Sequence, residues 1–92
     1  MRKRILLVDD CNDLAALYRA MFRNAPAIGI EVAETPEQAL ELLRTNAYDL
    51  VGLDIDLRHP TIDGVDLLLW VKARAPKLDV FMMSVRKGNG HC

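Results

Sequence analysis

The sequence predicts an α/β fold: a three-layer, doubly wound parallel sheet with helices on both faces. Three observations predict it. Short apolar runs of strand length recur along the chain, and amphipathic stretches of helix length separate them. A strict strand–helix alternation favours parallel pairing, because each helix carries the chain back to the edge from which the last strand started. About half of the 92 residues are apolar (51%), enough for one real core and no more than one domain.

The elements follow in order. Ile5-Leu6-Leu7-Val8 is a continuous apolar run and suits a strand buried on both faces. Leu14, Leu17, Tyr18, Met21 and Phe22 then recur at helical spacing, which predicts a first helix with these residues on its inner side. Asn12 or Asp10 is its expected N-cap, and Asn24 with Pro26 its expected end. Ile30-Glu31-Val32-Ala33 carries a charge in its middle and so suits an edge strand. Thr35-Pro36-Glu37-Gln38 opens the second helix: a threonine cap, a proline at the first helical position and a glutamine able to close a capping box. Leu40 and Leu43 are its expected core residues. Leu50-Val51-Gly52-Leu53 is the third strand, residues 65–73 the third helix, stopped by Pro76, and Val80-Phe81-Met82-Met83 a fourth strand, read like the first as buried on both faces. The order is βαβαβαβ, with right-handed crossovers. A domain over residues 1–85 is expected, followed by a frayed tail over 86–92 that contains Gly88 and Gly90.

Composition narrows the functional classes. A formal net charge of -1 argues against direct nucleic-acid binding, which calls for a basic face. No apolar run reaches 18 residues, so no membrane span is expected. The basic start at Arg2-Lys3-Arg4 leads into an apolar run cut short by Asp9-Asp10, which is not a signal peptide. A cytoplasmic protein is the expectation. Cys11 and Cys92 lie far apart in sequence and read as free thiols, with no zinc-site spacing.

The chemistry sits at strand ends. Ligands of open parallel sheets bind at the carboxyl ends of the strands. Here the first strand ends in Asp9-Asp10 and the third in Asp54, with Asp56 two residues on. If the two strands are neighbours, the carboxylates converge and repel, a situation that a cation relieves. Oxygen ligands with no Cys or His among them favour Mg²⁺. A carboxylate can also attack phosphorus to give an aspartyl phosphate. An aspartate in such a loop is also an ordinary helix cap, so Asp10 alone carries little weight; the pair together with Asp54 carries more.

At these residues the chain resembles the response-regulator receiver family. The resemblance rests on Ile5-Leu6-Leu7-Val8-Asp9-Asp10, on Asp49-Leu50-Val51-Gly52-Leu53-Asp54 and on Pro60-Thr61-Ile62-Asp63-Gly64, and it covers residues 3 to about 85. It implies the flavodoxin-like strand order 2-1-3-4-5 and assigns roles. Asp54 matches the phosphoacceptor, Asp10 the main metal-binding acid with Asp9 beside it, and Asp56 the residue whose backbone carbonyl meets the metal. Ser84 matches the hydroxyl that hydrogen-bonds the phosphoryl group. Mg²⁺ is the implied cofactor, and a histidine kinase or phosphotransfer protein the implied partner.

The chain departs from the family pattern in four places. The family's proline commonly follows the acceptor by four residues; from Asp54 to Pro60 is six and from Asp56 to Pro60 is four. Asp54 is preferred because the run from Leu50 puts it at the strand end, with Arg58-His59 as an insertion; Asp56 is the alternative acceptor. The family's lysine at the end of a fifth strand has no counterpart, Lys87 coming too early, and the remaining residues are too few for a fifth strand and helix. The fourth strand would then be a bare edge, and a homodimer through it is expected. Finally, Leu69 and Trp70 fall where the family tends to be polar; they form either an outer apolar patch or a contact with the neighbouring helix. Cys11, His59 and His91 read as bystanders.

Three functions compete. The leading one is a phosphoacceptor signalling domain, not an enzyme, taking phosphoryl from a histidine kinase onto Asp54 with Mg²⁺. The second is a receiver-like interaction module that does not switch, which the missing lysine favours. The third is a phosphatase: Asp54-Ile55-Asp56 resembles the nucleophile motif of haloacid-dehalogenase-type phosphatases, but there that strand comes first in a longer domain.

Overall fold

The computed structural model describes residues 3–10, 12–55 and 61–83; Cys11, Asp56, His59, Pro60, Ser84, Lys87, His91 and Cys92 lie outside the described residues. The elements are β1 (Lys3–Val8), α1 (Asn12–Met21), β2 (Ile28–Ala33), α2 (Pro36–Thr45), β3 (Leu50–Asp54), α3 (Gly64–Arg74) and β4 (Asp79–Met83). The strands form a parallel sheet in the order β2-β1-β3-β4. The doubly wound α/β expectation is met, and β2 takes the edge place that Glu31 indicated.

Alternation along each strand divides the side chains between two faces. Leu6, Val8, Val51 and Leu53 point to one face, where they pack with Ala39 of α2 and Leu67 and Val71 of α3. Leu7 and Val32 point to the other, where they pack with Ala15 of α1. The sheet is therefore the middle layer, with α1 on one side and α2 and α3 on the other.

Caps set the helix starts. Thr35 Oγ1 accepts from the Gln38 amide at 3.0 Å, and Pro36 opens α2. The Gln38 side chain reaches one residue further back than a capping box requires: its Oε1 accepts from the Glu34 amide at 2.9 Å. The reciprocal box occurs at α3 instead. Asp63 accepts from the Asp66 amide at 2.8 Å, and Asp66 accepts from the Asp63 amide at 3.2 Å. α3 runs from Gly64 to Arg74, one residue past the expected limit at each end.

Several expectations need correction. α1 begins at Asn12 and ends at Met21, ahead of Asn24 and Pro26: the Phe22 amide still bonds the Tyr18 carbonyl four residues back, but the Arg23 amide shifts to the Ala20 carbonyl three back, a tighter closing turn, both at 3.3 Å. Among its described side chains Ala15 is buried, while Leu17 and Met21 are 51% and 63% exposed. A small side chain at the contact lets the helix sit close to the sheet, and the larger apolar residues ride on its flank. In α2, Leu40 and Leu43 pack against the core as expected, beside the buried Pro36 and Ala39. β4 is not buried on both faces: Val80 and Met82 pack into the core, but Phe81 is 38% exposed. Trp70 is half-buried against the core, with the Arg74 guanidinium 4.4 Å from its ring centroid, whereas Leu69 points to solvent.

Candidate metal and phosphoacceptor site

The acids converge at the carboxyl ends of the two middle strands. Val8 and Leu53 are direct register partners, so the residues that follow them emerge side by side. Sheet pairing continues one residue past each strand. The Asp9 amide donates to the Ala33 carbonyl and the Ile55 amide to the Met83 carbonyl, both at 2.9 Å. These bonds fix the backbone at Asp9 and Asp54 against the outer strands.

Asp9 and Asp54 are fully buried and Asp10 is half-buried. One carboxylate oxygen from each of the three lies within 4.8 Å of the others. Three carboxylates at that spacing, two of them removed from water, repel one another strongly unless a cation sits among them. All the donors are oxygens, the set that suits a hard divalent ion such as Mg²⁺. Asp9, Asp10 and Asp54 therefore fit the ion that the sequence implied.

Two residues of the site have roles there that the sequence reading did not assign. Tyr18, on α1, points its hydroxyl at Asp9 Oδ2 from 3.5 Å, a long donor distance that places α1 against the acid pair. Its helical spacing marked it only as a core residue. Gly64 is the other. A Cβ there would overlap the Asp54 carbonyl oxygen and come 3.0 Å from Ile55 Cα, so only glycine lets α3 start directly against the end of β3. The Asp63-Gly64 pair thus has two separate duties, capping the helix and admitting it to the acceptor strand.

The resemblance seen in the sequence extends to known proteins. The family model described as the response regulator receiver domain matches residues 5–91. The chain is 36% identical over 84 residues to the transcriptional regulatory protein ZraR of Escherichia coli K12, covering 87% of this chain and 18% of ZraR. It is 35% identical over 78 residues to the regulatory protein LuxO of Vibrio vulnificus YJ016, covering 85% of this chain and 17% of LuxO. The chain thus spans under a fifth of these relatives. Among solved structures, NtrX from Brucella abortus in complex with ADP superposes with a TM-score of 0.82 at 33% identity, covering 91% of this chain and 19% of that one. The signal receiver domain of a putative Luxo repressor protein from Vibrio parahaemolyticus superposes at 0.79 with 28% identity, covering 96% of this chain and 65% of that one. With its fold and nearly its whole length matched, this chain belongs to the response regulator receiver domain family.

Proposed function

We propose that the chain is a phosphoacceptor signalling domain rather than a turnover enzyme, with Asp54 as the acceptor. The observation that carries this reading is the burial of Asp54 at the end of β3 within reach of two further carboxylates. A histidine kinase or phosphotransfer protein, met in the cytoplasm, is the donor. A carboxylate oxygen of Asp54 bonds to phosphorus as the donor's P–N bond breaks, and the released imidazole takes up a proton. Asp9, Asp10 and Asp54 would hold Mg²⁺, with the Asp56 carbonyl as the further ligand the family resemblance implies, and the bound ion would offset charge on the transferring group. Ser84 hydrogen-bonds the phosphoryl oxygens.

Intact mass after incubation with a small-molecule phosphodonor and Mg²⁺ tests the reading. A single phosphoryl adduct is expected on the wild type and on Asp56→Asn, and none on Asp54→Asn. An adduct lost only in Asp56→Asn would move the acceptor. No adduct on folded wild type would favour the second reading, an interaction module that does not switch. The specific observation behind that second reading is β4, which ends the described sheet with Phe81 partly exposed and offers an edge along which a second copy can pair.

A further inference from the structure

A tyrosine in an apolar helical stripe brings a hydroxyl that needs a polar partner, where a phenylalanine would not. Tyr18 lies six residues after the start of α1, and helical side chains lean back toward the N-terminus of their helix. Its side chain therefore runs toward the turn after β1, where the acid pair stands. The ring packs against the cluster of Leu7, Ala15 and Val32, between α1 and the sheet. The hydroxyl at its tip donates to Asp9 Oδ2 at 3.5 Å. Asp9 itself is fully buried, and its amide is tied to the Ala33 carbonyl at 2.9 Å. The backbone of Asp9 is thus held by β2 and its carboxylate by α1.

We propose that Tyr18 is a positioning residue that sets the site's preference for Mg²⁺ over Ca²⁺, resting on the reading that Asp9, Asp10 and Asp54 hold a divalent ion. The two ions ask different things of a carboxylate. Mg²⁺ demands near-octahedral geometry and keeps several waters, whereas Ca²⁺ accepts more oxygens in a looser arrangement and can take both oxygens of one carboxylate. A phenol on Asp9 Oδ2 keeps that carboxylate from turning to present both of its oxygens to the cluster. The site then offers few oxygens in fixed positions, which suits the smaller ion. Groups that orient a metal ligand tune the site without touching the metal. A hydrogen bond of 3.5 Å is long, so the effect is a modest one.

Separate Mg²⁺ and Ca²⁺ titrations of the whole chain, followed by the amide NMR signals of Asp9 and Asp10, test this, with circular dichroism melts showing that each variant is folded. Tyr18→Phe keeps the ring and removes the hydroxyl. Its ratio of Mg²⁺ to Ca²⁺ affinity should fall roughly three- to tenfold below that of the wild type, with Ca²⁺ binding kept or tightened. Val32→Ala loosens the same cluster but leaves the hydroxyl in place, so it should leave the ratio unchanged. An unchanged ratio in Tyr18→Phe, with both ions weakened alike, would overturn the proposal and leave Tyr18 a packing residue only. So would an equal fall in Val32→Ala. In either case the metal reading itself stands. Wild-type signals that ignore Mg²⁺ would instead remove the metal site, and this inference with it.

Discussion

Two buried glycines make opposite predictions. At Gly64 an added methyl group meets the backbone of Asp54 and Ile55, which the sheet holds in place. Gly64→Ala should cost about 2–3 kcal/mol, displace α3 from the acceptor strand and slow phosphorylation, read by chemical denaturation and adduct formation. At Gly52 the added group meets the Phe81 ring and Leu7 Cδ2, at 2.5 and 2.8 Å. Phe81 is partly exposed and can swing outward, so Gly52→Ala should cost less, about 1 kcal/mol, and leave phosphorylation intact. Tyr18 makes a quieter prediction. Tyr18→Phe keeps the packing and removes a long hydrogen bond to Asp9, so Mg²⁺ affinity measured by titration calorimetry should fall only modestly, by less than about tenfold.

Among elements, the rim of the sheet opposite the acids is tied by side chains. Arg4 of β1 reaches Glu31 of β2 at 2.5 Å, Tyr48 donates to Glu31 at 2.6 Å, and the Arg4 guanidinium lies 4.9 Å from the Tyr48 ring centroid. Hydrogen bonds from Tyr48 and Arg4 hold the Glu31 carboxyl below its usual range; burial and the bond to Glu31 push the Tyr48 hydroxyl well above its own. The signs follow. Glu31 binds its proton less readily when folded, so its contribution is full above the ordinary carboxylate range and is lost as pH falls through the lowered value. Tyr48 holds its proton more tightly when folded, so its contribution is full below the ordinary tyrosine range and is lost as pH rises beyond it. Melting temperature against pH should therefore flatten on the acid side in Glu31→Gln and on the alkaline side in Tyr48→Phe. The α3 box predicts a further loss: Asp63→Ala should lower stability by about 1 kcal/mol, or about 5 °C in Tm.

For the whole molecule, the three carboxylates couple stability to the cation. Mg²⁺ at a hundredfold excess over its Kd should stabilise the fold by about 2.7 kcal/mol. Asp10→Asn removes one like charge, so in EDTA it should melt slightly higher than the wild type, while its gain from Mg²⁺ shrinks; differential scanning fluorimetry reads both. A wild type whose Tm ignores Mg²⁺ would count against the metal site.

By itself the sequence determined the order of elements, the edge place of β2 and the acids at the strand ends. Those features are written in local patterns: apolar runs, a charge inside a strand, and residues that directly follow a strand. It also marked Asp63-Gly64, though only as part of a resemblance. What the tertiary structure decided depends on distance across the chain. The apolar stripe of α1 could not say that Ala15, and not Leu17 or Met21, meets the sheet, because periodicity gives a face but not how closely the helix approaches. The apolar run of β4 looked buried on both faces; its place at the edge of the described sheet followed from the count of residues after it and not from the run itself, since a strand's burial depends on what lies beside it. Nor could any local pattern show that Gly64 must be bare, that Tyr18 reaches Asp9, or that α2 and α3 enclose one groove. Each of these is a meeting of residues far apart in sequence, and packing alone brings them together.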